Sequence, residues 1–202
     1  LAGILTPVIL FGISLNFLLT PAFIRIEYAM PYIPADQYGF GKSERFEWAS
    51  QMIDYLTNNR QTQYLTRLKF EDESRVFNEH EITVVNNIKK SIQKTLVIWH
   101  LSLAAAFILG LLAWAGDWLP KFRHGIKLGG WLTIGSAIIL VIAFIIFNDI
   151  NPNTYFQNTD TILRLFPIRI WQDSFLFMAI SMIGSGSLLV IRLAKIENIA
   201  KG

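Results

Sequence analysis

Charge is absent from three long stretches of this 202-residue chain, Thr95 to Gly116, Leu128 to Phe147 and Phe175 to Ile191, and from a fourth at residues 1–24. A helix needs about 17–25 apolar residues to cross a bilayer, so each run has the length of a span. Such a chain cannot fold as an ordinary globular domain, because four helices without a polar face have no side to turn to water. The remainder agrees, since 52% of the residues are hydrophobic and only 16% are charged. A cleaved signal peptide is not expected at the first run, which is too long for one and lacks a basic flank.

The fold class read from this pattern is an all-α membrane protein, with four transmembrane helices and an extracytoplasmic, mainly helical cap. The expected segments are helix 1 at 1–24, the cap at 25–94, helix 2 at 95–118 and a cytoplasmic loop at 119–127. Helix 3 follows at 128–147, an extracytoplasmic loop at 148–173, helix 4 at 174–191 and a cytoplasmic tail at 192–202. Orientation comes from the basic residues: "LPKFRHGIK" carries Lys121, Arg123 and Lys127 with no acid, and the tail carries Arg192, Lys195 and Lys201 against Glu197. By the positive-inside rule both lie in the cytoplasm, which places both termini inside and the cap outside.

No cysteine is present, so disulfides, thiolate metal sites and a lipidated cysteine are excluded, and no metal site is expected. The net charge of +3 forms no basic stripe among aromatics, which argues against nucleic acid as a partner. Membrane lipids are the partners implied directly.

Within the cap, "SERFEWASQMIDYL" places Phe46, Ala49, Met52, Ile53 and Leu56 at helical spacing, with Glu44, Arg45, Glu47, Gln51 and Asp54 on the other side. Before it, "YAMPYIPADQYGFGK" reads as a rigid loop whose tyrosines suit the headgroup level. After it comes a turn-rich connector with room for a short hairpin. Asn78 followed three residues later by Glu81 resembles a capping box. From there the pattern stays helical into helix 2, and residues 80, 84 and 87 share one face.

These pieces, in order, carry a resemblance. Tyr38, Gly39, Phe40, Glu44 and Arg45, then Asn78, Glu79, Glu81 and Lys89, then Asp160, Thr161, Leu163, Leu165, Phe166, Pro167 and Trp171 resemble the motifs of the lipoprotein intramolecular transacylase family. The resemblance covers residues 28–173. It implies a bacterial cytoplasmic-membrane protein with four spans and a cap, related to enzymes that move an acyl chain from the glyceryl group to the amino group of a lipoprotein's N-terminal cysteine. It also implies two histidines that move protons between amine, ester and leaving alkoxide, a task suited to a group titrating near neutrality.

The chain departs from the family at those two places. Ungapped alignment of "NEHEITVVNNIK" sets Val84 where the first histidine belongs and Asn87 where an aspartate follows it, and Asn148 stands after Phe147 where the second histidine is expected. Valine has no titratable proton, and an amide is no general base at physiological pH. Losing one general acid or base costs about 10²–10⁴ in rate.

His80 is the candidate for a relocated base, one turn before Val84 and about 6 Å away along the axis at ~1.5 Å per residue. Its bland alternative is a surface or capping role, as it is for Glu79 and Asp149. His100, inside helix 2, is either a neutral imidazole bonded between helices or an axial ligand to a haem or chlorin pigment; no other cofactor is expected. His124 is expected in solvent. Arg164 and Arg169 would either hold a headgroup phosphate or pair with acids of the cap.

The leading expectation is a non-catalytic, transacylase-like structural or accessory subunit of a larger membrane complex, with other membrane-protein subunits as partners. Its rivals are an active lipoprotein acyltransferase rearranged around His80, and a lipid- or lipoprotein-binding protein.

Overall fold

The computed structural model describes residues 1–31, 33, 41–70, 73–146 and 161–199. Tyr38, Gly39, Phe40, Asn148, Asp149 and Asp160 lie outside the described residues. Among the described residues eight helices follow in order: α1 Ala2–Leu18, α2 Pro21–Ala29, α3 Lys42–Thr57, α4 Gln63–Thr66, α5 Glu79–Ala115, α6 Leu119–Ile146, α7 Thr161–Leu165 and α8 Ile168–Ile199. No strand occurs among the described residues, only an isolated antiparallel bridge between Lys69 and Arg75. Glu73 closes that turn at a φ of 63°, the left-handed region that a non-glycine residue enters at some cost.

Three helices, α5, α6 and α8, are long and apolar enough to cross a membrane; α1 and α2 make a fourth span only if they are counted as one bent pair. The first run was expected to be continuous to residue 24. It breaks instead at Thr20, where α2 departs from α1 at 62°. Pro21 cannot continue the ladder of α1, and the Thr20 hydroxyl accepts the Phe23 amide at 3.3 Å to start a new helix. A second correction concerns residues 119–127, expected as a loop. They form the first turns of α6, with Pro120 in its first turn, where a missing amide proton costs nothing. The turn itself is confined to 116–118, with Asp117 at a φ of 57°.

The chain divides into two compact units. The first comprises Leu1–Leu15, Thr95–Phe147 and Phe175–Gly202, and the second Asn16–Lys94 and Asn148–Ser174.

In the first unit the usual order of burial is reversed. Phe107, Trp114, Trp131, Ile139 and Leu188 are exposed, while Ala113, Ala137 and Thr133 are fully buried. Small residues let helix backbones approach, and large apolar ones are left for lipid. Gly130 and Gly186 meet backbone to backbone: a Cβ on Gly186 would sit 2.9 Å from the Gly130 carbonyl oxygen. Trp99 fills the space beside Gly12 and donates its indole N–H to the Ile9 carbonyl at 3.1 Å. Ser14 and Ser181 bond across two helices at 2.7 Å.

The second unit is built like a water-soluble domain. Its core holds Phe23, Tyr28, Met52, Ile53, Tyr55, Leu65, Phe77, Val85 and Leu165. On α3, Ala49, Met52, Ile53 and Leu56 are buried and Phe46 half-buried, as the helical spacing implies. Arg45, expected on the polar side, is only 4% exposed.

Candidate functional site

The second unit places its polar chemistry around the short helix α7. The capping box expected at Asn78 is formed: the Asn78 side-chain oxygen accepts the Glu81 amide at 2.8 Å, and Glu81 Oε2 accepts the Asn78 amide at 2.8 Å. Glu81 then does something its local sequence does not announce. Its Oε1 accepts the Ile162 amide at 2.9 Å, so one carboxylate, 1% exposed, serves the N-termini of both α5 and α7. Thr161 adds a 2.7 Å bond to the Val76 carbonyl.

The other end of α7 is held as firmly. Arg45 Nη2 donates to the Arg164 carbonyl at 2.7 Å, and the Tyr28 hydroxyl donates to the Leu165 carbonyl. Arg45 also lies over the Tyr28 ring, 5.1 Å from its centre. A five-residue helix leaves nearly all its backbone groups without internal partners. Glu81, Arg45 and Tyr28 supply those partners from three other helices, and this explains the burial of Arg45. Burial pushes the Tyr28 phenol up to about 12, against the opposing pull of Arg45.

A second polar cluster joins α3 to α5. The Tyr55 hydroxyl donates to the Asn86 side chain, which also bonds Thr62. Lys89 donates to the Arg60 carbonyl with its ammonium 3.9 Å from the centre of the Tyr55 ring. Burial lowers the Lys89 pKa, partly offset by Asp54.

Val84, where the resemblance calls for a proton-transfer group, lies elsewhere, as do the neighbouring candidates. His80 is exposed, Val84 half-buried and Asn87 exposed, all on one face of α5. The buried face of the same helix carries Glu81, Ile82, Val85 and Lys89 and is turned away from it. Glu79 is exposed and pairs with Arg75 at 3.8 Å. Arg169 pairs with Asp173 of its own helix at 3.5 Å. In the first unit, His100 bonds the Leu96 carbonyl at 2.7 Å through Nδ1 and meets the Trp99 ring edge-on. His124 and Lys127 both face Glu197, at 3.8 and 2.6 Å. No group of three or more potential metal ligands occurs among the described residues.

Sequence reasoning missed Glu27. It follows the first apolar run directly, on an α2 that also buries Phe23, Ile24 and Tyr28, and it is 5% exposed. Its Oε2 accepts no donor among the described residues. Burial above all, then the charge and hydrogen bonding of Asp173, push its carboxyl up to about 7, while Arg169 pulls the other way. The available signal was an acid within an otherwise apolar stripe.

The chain is similar to an uncharacterized protein of Aquifex aeolicus (strain VF5), 25% identical over 190 residues, with 88% of this chain and 84% of that protein covered. No family model matches the chain, and no solved structure does.

Proposed function

We propose that the protein is a bacterial multi-pass membrane protein of transacylase-like build that does not perform acyl transfer and serves as a structural or accessory subunit of a larger membrane assembly. In this reading its termini lie in the cytoplasm and the second unit outside. One observation carries it: the family-like polar residues Arg45, Asn78 and Glu81 each use side-chain polar atoms to hold α7 or the start of α5. The two positions where the resemblance implies proton-moving histidines are Val84 and Asn148, a valine and an amide that cannot serve as general bases. A frame kept intact around missing bases fits a protein retained for its shape.

Two experiments test this. Co-expression with a reporter lipoprotein, followed by mass spectrometry of where its acyl chains sit, should show no glyceryl-to-amine conversion; conversion would overturn the reading. Purification from native membranes in mild detergent should bring down partner subunits in fixed ratio. A lone chain carrying tightly held lipid would favour the lipid-binding alternative.

An active enzyme is the second reading, because His80 is exposed on the same face of α5 as Val84, one turn before it. Conversion that disappears in His80→Ala would establish it, and conversion that persists in that variant would eliminate His80 as the base.

A further inference from the structure

The geometry points to a proton-binding site in the second unit: Glu27 and Asp173 hold one proton between them, and that proton fastens α2 to the first turns of α8. Glu27 is 95% removed from solvent, counted from its 5% exposure, yet its Oε2 has no donor among the described residues. Asp173 Oδ2 is likewise buried without a hydrogen-bond donor among the described residues, with the Arg169 Nε 3.5 Å away. Two acceptor-only groups facing each other out of water are repulsive and unsatisfied. A single proton converts them into a donor and an acceptor and removes both penalties.

The surroundings decide which oxygen keeps the proton. Asp173 is the better solvated, with a side chain 17% exposed, and it has the Arg169 cation beside it. The proton therefore resides on Glu27. The raised Glu27 pKa agrees with this assignment. A metal ion is a poor alternative occupant, since no third ligand stands by among the described residues and the guanidinium already supplies positive charge. The charged groups around the pair are few. From α8 they are Asp173 and Arg169. On α2 itself Arg25 is engaged with the Phe46 ring. From α3, Arg45 lies over Tyr28 and bonds the Arg164 carbonyl of α7.

Loss of the proton near neutral pH sets the Glu27 charge against that of Asp173, and the hydrogen bond between α2 and α8 becomes a repulsion. The second unit is thus built to respond to the pH of the compartment it faces.

Infrared difference spectra of the full chain in lipid nanodiscs, titrated with acid and base, read the proton directly. A protonated-carboxyl band should vanish with a midpoint near 7 and be missing in Glu27→Gln, whose helix content by circular dichroism should match the parent. Asp173→Asn should lower the midpoint and Arg169→Gln should raise it. Hydrogen exchange of α2, corrected for the intrinsic pH dependence of exchange, should accelerate across the same midpoint. A band that survives in Glu27→Gln, a titration confined to the ordinary carboxylate range, or a midpoint indifferent to Asp173→Asn would overturn the site. A titrating band with unchanged α2 exchange would overturn the latch. None of these outcomes depends on acyl transfer or on partner subunits.

Discussion

The two units of this chain obey opposite rules of burial. In the first, Ala113, Ala137 and Thr133 are hidden while Ile139 is 68% and Trp114 72% exposed. In the second, Tyr55, Phe77 and Leu165 are hidden, together with the charged Arg45 and Glu81. The difference is one of solvent. Where lipid is the surroundings, large apolar side chains gain nothing by turning inward, and packing is left to small residues and short polar bonds. Where water is the surroundings, the hydrophobic effect drives large side chains in, and a buried charge survives only if it finishes someone else's hydrogen bonds.

The sharpest way to break the second unit is therefore through a charge. Glu81→Ala removes the acceptor for two backbone amides, the part-buried Asn78 N and the buried Ile162 N. A hydrogen bond to a charged group is worth about 1.5–3 kcal/mol, so roughly 3–6 kcal/mol should be lost. Limited proteolysis of the chain in detergent micelles should then show cleavage in the second unit, with residues 95–146 still protected. Uniform loss of both units would contradict their division.

Matched truncations probe the contrast itself. Ile53→Ala, at a site 4% exposed in the second unit, should cost about 2–5 kcal/mol in thermal unfolding. Ile139→Ala, at a site 68% exposed in the first, should change stability by less than about 0.5 kcal/mol in the same assay. Equal costs would mean that Ile139 is covered by protein. Such a result in the native membrane, but not in detergent, would point to a partner subunit seated there.

Overpacking tests the small-residue rule in the first unit. A Cβ at position 12 would lie 2.0 Å from Cδ1 of Trp99. Gly12→Ala should displace the indole, break its bond to Ile9 and cost about 1–3 kcal/mol. The red-edge fluorescence of Trp99, isolated by comparison with Trp99→Phe, should report the displacement. An unchanged spectrum would mean that the indole does not pack against Gly12.

How far these rules could be read in advance depended on sequence distance. The apolar runs are contiguous, so the long helices were legible from charge alone. The Asn78–Glu81 box is an i, i+3 device and was equally plain. The same carboxylate's bond to Ile162 spans 81 positions, and the bond from Arg45 to the Arg164 carbonyl spans 119. No local pattern encodes such pairings, which is why Arg45 was expected on a polar face. Pro21 and Pro120 carried real information that hydropathy overrode: the first marks where the apolar run at 1–24 bends, the second where α6 begins inside an expected loop. Glu27 shows the same limit, because its burial follows from the packing of α2, and charge patterning alone reads an acid there as interfacial.

The smallest expected effect is a graded one and follows from that same residue. The Glu27 carboxyl titrates near 7 in the folded chain and at 4.5 in its unperturbed state. Between those values the native state binds more protons than the unfolded state, so stability must fall as pH rises across that window. Below 4.5 both states are protonated and the contribution is fully present; above about 7 both are ionised and it is gone. The other groups of the second unit with displaced titrations, Tyr28, Tyr64 and Lys89, belong to types that titrate near 10 and above in their unperturbed state, well clear of this window. A melting temperature measured from pH 4.5 to 7.5 should therefore decline in the parent chain and lose most of that decline in Glu27→Gln. The first unit has no comparable buried acid among its described residues, so hydrogen exchange in α6 should stay flat once corrected for intrinsic rates. A decline shared by both units would mean that the proton on Glu27 supports the whole fold, and the contrast between a lipid-ordered and a water-ordered half would then hold for packing but not for electrostatics.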